Sequence, residues 1–414
     1  MVPGLSKSAQ VAAGGMLSPG CPTTALFPRK FGKKTANGTS GGAPKCRNYY
    51  GLLFSLTLGL NALACGDSGD DSTLPIIPAL LGAPGPRDIQ LAAELNDAGV
   101  QALAIPTQES DAMIALGTAH FFDRELSGDR DITCASCHIP PLGTGDALPT
   151  SIGAGGAGLG STRAIGTGEM IARNAPPLYN LGNPETGALF WDGRVSRDDT
   201  TGVLTTPSGV LNGATPSRSD IAAQLTSALA AQAMFPVLSN EEMRGQPGNE
   251  IRDAADDEAT WAALMARLIG TSNGTVGGIA GYRTLFAAAF PDVTNYDSFN
   301  FGHAARAIAA YERQSFLSVG SPLDRYLAGD LGALTDAQKS GALVFFGAGG
   351  CAGCHSGPLL SDFNFHGIAA PQLGPGASGG DSDDPGRSLI SGNAGERYEF
   401  RTPPLRNVAL TAPY

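Results

Sequence analysis

The chain has 414 residues, 57 of them Gly and 29 Pro, with seven Cys and a formal net charge of −11. That length leads one to expect two domains, and so much Gly and Pro predicts long irregular loops. The acidic balance excludes nucleic acid as a partner.

The first 64 residues are set apart: they hold seven of the 27 basic residues and none of the 38 acidic ones. Residues 51–64, GLLFSLTLGLNALA, are apolar but too short to span a bilayer comfortably. With Lys45 and Arg47 before them they read as a signal peptide (45–65), after a leader (1–44) of doubtful translation start. Ala62-Leu63-Ala64-Cys65-Gly66 resembles a lipoprotein processing site, with Cys65 lipidated and the only membrane anchor; a plain secretory signal is the alternative. Either reading makes the product exported and periplasmic. Residues 66–108 form a polar tether and lead-in.

Downstream the pattern is helical. Met113, Ile114, Leu116, His120 and Phe121 share helical spacing and predict a helix over 109–123. It leads into Cys134-Ala135-Ser136-Cys137-His138, a C-x-x-C-H motif. Residues 140–170 read as loop. Further helices are expected over 219–234, 255–270 and 299–316, the last opening a second domain. Another, over 335–347, is N-capped by Thr335 with Gln338 completing a capping box. It precedes Cys351-Ala352-Gly353-Cys354-His355, a second C-x-x-C-H. Residues 371–387 return to loop, and no strong strand alternation occurs anywhere.

C-x-x-C-H is the attachment signature of c-type haem: each cysteine bonds a vinyl carbon and the histidine ligates the iron. A single zinc site pooling four cysteines would leave both histidines unexplained. In each half a helix ending in Phe-Phe precedes the motif, which reads as a duplicated cytochrome c unit. The expected fold is therefore mostly α: two cytochrome c-like haem domains (109–297 and 298–414) with long irregular loops.

The chain resembles the bacterial di-haem cytochrome c peroxidases, including the MauG-like relatives. The resemblance rests on LGTAHFFDRELS, CASCH, PTSIG, RNAPPLYN, FWDGR, NEEM, AIAAYERQSF, SPLDRYLAGD, CAGCH and FRTPPLRNVALTAPY, in that order. It implies two covalent c-type haems, His138 ligating a peroxidatic first iron and His355 an electron-relay second iron. Glu242, before Met243, would move the proton that splits hydrogen peroxide. Trp191 would lie between the haems. A calcium ion would sit on Asn174, Thr411 and Pro413. Electrons would come from a small cytochrome c or cupredoxin, and the protein would be a homodimer.

Many members block the first iron with a histidine after a stretch like Pro149-Thr150-Ser151-Ile152-Gly153. Here Ala154 follows, and no histidine occurs between His138 and His303. An open first iron is therefore expected without reductive activation. His120, His303 and His366 are expected to be structural. The resemblance also implies a continuation past Tyr414 carrying the second haem's sixth ligand, so the second domain is read as incomplete. MauG-like oxidation of a partner protein and plain electron transfer are the alternative functions.

Overall fold

The computed structural model describes residues 83–372, 374–377 and 383–412. Cys65, Pro413 and the whole 1–65 segment lie outside the described residues. Eleven short helices are described, with two small sheets and long connections, so the fold is mostly α as expected.

The first core is built around two helices. Helix α1 (Pro86–Asp97) comes first in the chain but belongs elsewhere. Helix α2 (Asp111–Phe122) starts where Ser110 accepts the Met113 N–H at 3.2 Å. Helix α3 (Cys134–Cys137) is the first C-x-x-C turn. Helices α4 (Ser219–Ala222), α5 (Ala228–Gln232), α6 (Asp257–Ile269), α7 (Ala280–Ala289) and α8 (Phe301–Ser315) follow. Helix α2 lies along α8 at close range. A Cβ at Gly117 would collide with the Ala307 carbonyl. Small residues, Gly117 facing Ala307, let the two backbones touch and exclude water between them. Trp261 on α6 is fully buried, its indole N–H donating to the Met234 carbonyl at 3.1 Å.

The expected helix over 219–234 is instead two, α4 and α5. Ser227 breaks it: its hydroxyl accepts the Ala230 N–H at 3.1 Å and starts a new helix. The other expected helices form with ends within a few residues of those read. Thr335 and Gln338 do make a reciprocal capping box on α10 (Asp336–Leu343), after α9 (Pro322–Leu327).

A second, smaller core joins distant segments. Leu91 and Leu95 of α1 and Val100 pack with Tyr326 of α9, backed by Leu343, Phe346 and Leu360. Arg406 ties it together. It pairs with Asp324 at 2.8 Å, both side chains under a tenth exposed, and donates to the carbonyls of Pro358 and Gln101. The two cores do not follow the sequence boundary at 298: α8 lies in the first core, and the lead-in segment supplies α1 to the second. The apolar faces, not chain order, decide this.

The sheets are small. Strands β1 (Ala188–Leu189), β2 (Val195–Arg197) and β3 (Leu204–Thr205) form an antiparallel meander with Leu189 opposite Val195. Strand β4 (Phe365–His366) pairs with β5 (Phe400–Arg401), Phe365 opposite Arg401. Helix α11 (Ser388–Ser391) lies between them in sequence. Among the described residues no helix is long and apolar enough to cross a membrane.

Candidate functional site

A cavity of ≈730 Å³ opens beside the first C-x-x-C-H motif. That volume falls in the ~300–1,000 Å³ range of cofactor sites. Cys134, Cys137 and His138 line one part of it, with apolar walls from Leu126, Ile132, Leu178 and Val237. Burial pushes both thiols up to about 12, so they stand as neutral thiols. The His138 Nδ1–H donates to the Thr144 carbonyl at 3.1 Å. Burial also holds the His138 ring below its usual basicity. The imidazole is thus neutral and fixed, with Nε2 left to ligate a metal. Among the described residues His138 is the only histidine lining this cavity.

The second motif repeats the fork. The His355 Nδ1–H donates to the Leu360 carbonyl at 3.0 Å. Both acceptor residues, Thr144 (φ 64°) and Leu360 (φ 56°), hold left-handed backbone without being glycine. That conformation is costly for a side-chain-bearing residue, and more so for the β-branched Thr144. Its presence at both sites marks the carbonyl's aim at the histidine as the selected feature. The surroundings differ, however. Cys351 is exposed, Cys354 and His355 are half-buried, and Phe345 stands 6.2 Å from the His355 ring. Two cysteines, a histidine with its second nitrogen satisfied, and apolar walls fit a covalent haem at the first motif. The second motif has the same donor set.

The remaining cavity residues come from distant segments. The β1–β2 hairpin presents Phe190–Arg194 as its turn, with Phe190 at φ 63° and Gly193 at φ 64°. Trp191 lies in that turn and lines the cavity. Its indole N–H donates to the Asn174 carbonyl at 2.8 Å. Asn174 in turn donates its amide to the Leu148 carbonyl at 2.5 Å.

Glu242 sits on a single wide π-helical turn, Asn240–Arg244, started by Ser239, whose hydroxyl accepts the Glu242 N–H. The same hydroxyl donates to the Glu241 carboxylate at 3.0 Å. Glu241 is therefore committed locally, whereas Glu242 faces Arg194 across 3.7 Å. Burial raises the Glu242 pKa, opposed by the Arg194 charge. The 149–154 stretch, which ends at Ala154, packs directly on this turn. The Ala154 N–H donates to the carbonyls of Glu241 and Glu242, each at 3.0 Å, and Ala154 is fully buried.

Sequence reasoning missed the charge cluster beneath Trp191. Arg173 grips Asp384 through two nitrogens at 2.7 and 2.8 Å and reaches Asp192 at 2.5 Å. Arg194 holds Asp192 at 3.1 Å. Arg387 donates to the carbonyls of Asp192 and Gly193. Arg173 sits in RNAPP and Asp192 and Arg194 in FWDGR, while Asp384 and Arg387 lie in the 371–387 loop, and nothing local marks them as partners. Glu312 on α8 was also missed. It lines the cavity, is 5 % exposed, and burial raises its pKa to about 8.

The three other histidines lie outside the cavity. His120 is fully buried, stacked on Tyr282 at 5.1 Å, and burial drives its pKa to about 3. His303 caps its own helix with Asn300 and packs against Phe290 and Phe299. His366 pairs with Asp362 at 2.8 Å. The ligand atoms of His366 and Asp362 lie near that of Cys354, which belongs to the second C-x-x-C-H motif. Thr411 is buried. A Cβ at Gly143 would collide with the neighbouring Leu410 carbonyl, so this turn rests on the loop after the first C-x-x-C-H motif.

Fold and site together define a c-type cytochrome with two attachment sites, one of them opening on a shaped cavity. Residues 111–332 match the family described as di-haem cytochrome c peroxidase. Cytochrome c551 peroxidase of Pseudomonas aeruginosa is 31 % identical over 305 residues, covering 74 % of this chain and 67 % of that protein. The methylamine utilization protein MauG of Methylorubrum extorquens is 28 % identical over 303 residues, covering 73 % of this chain and 63 % of its own length. The crystal structure of a MauG-like protein associated with microbial copper homeostasis shares 25 % identity and covers 76 % of this chain and 75 % of that one, with a TM-score of 0.49. This chain belongs to the di-haem cytochrome c peroxidase family, which implies two c-type haems.

Proposed function

We propose that the protein is an exported peroxidase that reduces hydrogen peroxide to water with electrons from a small cytochrome c or cupredoxin. The supporting observation is Glu242, a carboxyl with raised pKa, on the same cavity as Cys134, Cys137 and His138. The net reaction is H₂O₂ + 2e⁻ + 2H⁺ → 2H₂O. When bound, the first haem supplies the iron that takes peroxide, and the second passes electrons to it.

The protein's own groups do the rest. His138, fixed through Thr144, presents one nitrogen to the iron. Glu242 takes a proton from the inner peroxide oxygen and returns it to the outer one, which makes water the leaving group. Arg194 keeps the carboxylate form accessible, and the apolar walls keep bulk water out. Trp191, anchored on the Asn174 carbonyl, would supply an indole for electron passage between the two haems. Calcium at Asn174, Thr411 and Pro413 would brace the two halves, because hard oxygen donors suit it. A lipid on Cys65 would hold the protein at a periplasmic membrane face, and a homodimer is the proposed assembly.

A second reading, oxidation of residues on a partner protein, is favoured by one observation. Ala154 stands where a blocking histidine would be, and His138 is the cavity's only described histidine. The test is to express the full-length gene, count haems from the reduced spectrum, and add peroxide with and without reduced cytochrome c. Donor oxidation supports the peroxidase. A persistent oxidised spectrum without donor turnover supports the second reading. An EPR spectrum of the oxidised protein with a purely low-spin, bis-histidine first haem would remove the open-iron proposal.

A further inference from the structure

Arg401 has the properties of a receptor without its ligand. It is 3 % exposed, yet it lines the cavity of the first motif. Its Nε–H donates to the Phe190 carbonyl at 2.9 Å and one Nη to the Thr402 carbonyl at 3.0 Å. Its own main-chain N–H donates to the Trp191 carbonyl at 2.8 Å. The guanidinium lies 5.4 Å over the Phe363 ring. Among the described residues it forms no ion pair. The nearest acid acting on it, Asp192, is already held by Arg173 and Arg194. Burial without a carboxylate pushes the Arg401 pKa down to about 10.

A buried cation that keeps its charge with only neutral carbonyl partners is costly, and such charges are normally paired. Carbonyls occupy two of its nitrogens, which leaves the other Nη available to the cavity. The planar fork suits a carboxylate. The charges that act on the cysteine thiols are different ones, chiefly Glu312 for Cys134 and Asp146 for Cys137. A covalent haem is fixed to those thiols by its vinyl edge, and its two propionate carboxylates project from the opposite edge.

We propose that Arg401 receives a propionate of the haem attached at Cys134 and Cys137. The same side chain then ties that propionate to the backbone of Phe190, and its main-chain N–H holds Trp191. The position of the Trp191 turn is thereby coupled to the position of the haem.

The test uses full-length holoprotein as wild type, Arg401→Gln and Arg401→Lys. Two readouts are taken: the propionate-bending band of the first haem by resonance Raman, and its redox titration. Arg401→Gln should shift the band. It should also raise the oxidised-to-reduced ratio of that haem by roughly ten-fold at fixed ambient potential, because a buried cation is lost. Arg401→Lys keeps the charge and should hold the ratio within about three-fold while still shifting the band. A loaded Gln variant with band and ratio unchanged overturns the assignment. If the Gln variant fails to take up the first haem, an unchanged band in the Lys variant overturns it. Saturable acetate binding that Arg401→Gln abolishes, with the band unmoved, would give Arg401 to an external carboxylate instead. The proposal rests on the haem reading of the first motif. A wild-type reduced spectrum lacking that haem would defeat that reading, whereas a loaded haem with an unmoved band defeats only this one.

Discussion

The two C-x-x-C-H motifs share one local device and little else. Each histidine gives its Nδ1–H to the carbonyl of a left-handed, non-glycine residue, Thr144 or Leu360. Around the first motif, segments spread over residues 126–401 close a cavity holding Glu242, Trp191 and Arg401. Around the second, Cys351 is exposed, and the nearby core is four buried residues with their backing. The pentapeptide therefore sets how a proximal ligand is held. What the iron can do is set by chain that arrives from elsewhere.

The comparison breaks most completely if the motifs are removed in turn. Cys134→Ala with Cys137→Ala should leave one haem per chain in the reduced spectrum and abolish peroxide turnover. The same change at Cys351 and Cys354 should stop donor-fed turnover but leave the first haem's peroxide-induced spectral change. Equal phenotypes would show the sites to be interchangeable. Next in size, Glu242→Gln should lower peroxide turnover by roughly 10²–10⁴-fold with both haems retained. Glu241→Gln, whose carboxylate is spent on Ser239, should stay within a few-fold.

Two changes address stability. Arg406→Ala leaves Asp324 buried without its partner and should cost about 3–5 kcal/mol. The loss should appear as separate melting of the second core, with the first haem's spectrum unchanged. His120 gives the first core a pH dependence of its own. Its pKa falls from 6.5 to about 3 on folding, so between those values the unfolded chain binds a proton that the folded one refuses. Stability is full above pH 6.5 and falls as pH drops through this window, by up to ~4–5 kcal/mol near pH 3. His120→Phe should flatten that slope in melts taken from pH 7 to 4. Smallest, Thr335→Ala should cost about 1 kcal/mol in the helix before the second motif and leave peroxide turnover unaltered.

Much of this was legible in the sequence because it is local. Helix periodicity, the Thr335 cap and both haem motifs depend on residues within one or two turns. Glu242 and Trp191 came from matching family motifs, and the structure brings both to the cavity with His138. The rest was hidden for physical reasons. Ser227 splits a helix that periodicity alone joins. Arg173 pairs with Asp192 across 19 residues and with Asp384 across 211, so no local window contains all three. A glycine inside a helix ordinarily weakens it, and the use of Gly117 becomes visible only once Ala307 lies against it. Nothing in the local sequence sets Arg401 and Glu312 apart from other charged residues, and only their burial does so.

The second core has a consequence for biosynthesis. In a chain that emerges N-terminus first, from ribosome or from export channel, α1 appears long before its partners at Tyr326 and Leu360. The whole first core lies between them and can condense while α1 still waits with Leu91 and Leu95 uncovered. Loop-closure entropy grows only slowly with length, ~0.6 kcal/mol per doubling, so the delay is a matter of timing rather than of final stability. Emergence N-terminus first would make the surroundings of the second motif the last to shut. Until then, its attachment cysteines are open to the machinery that joins haem to protein.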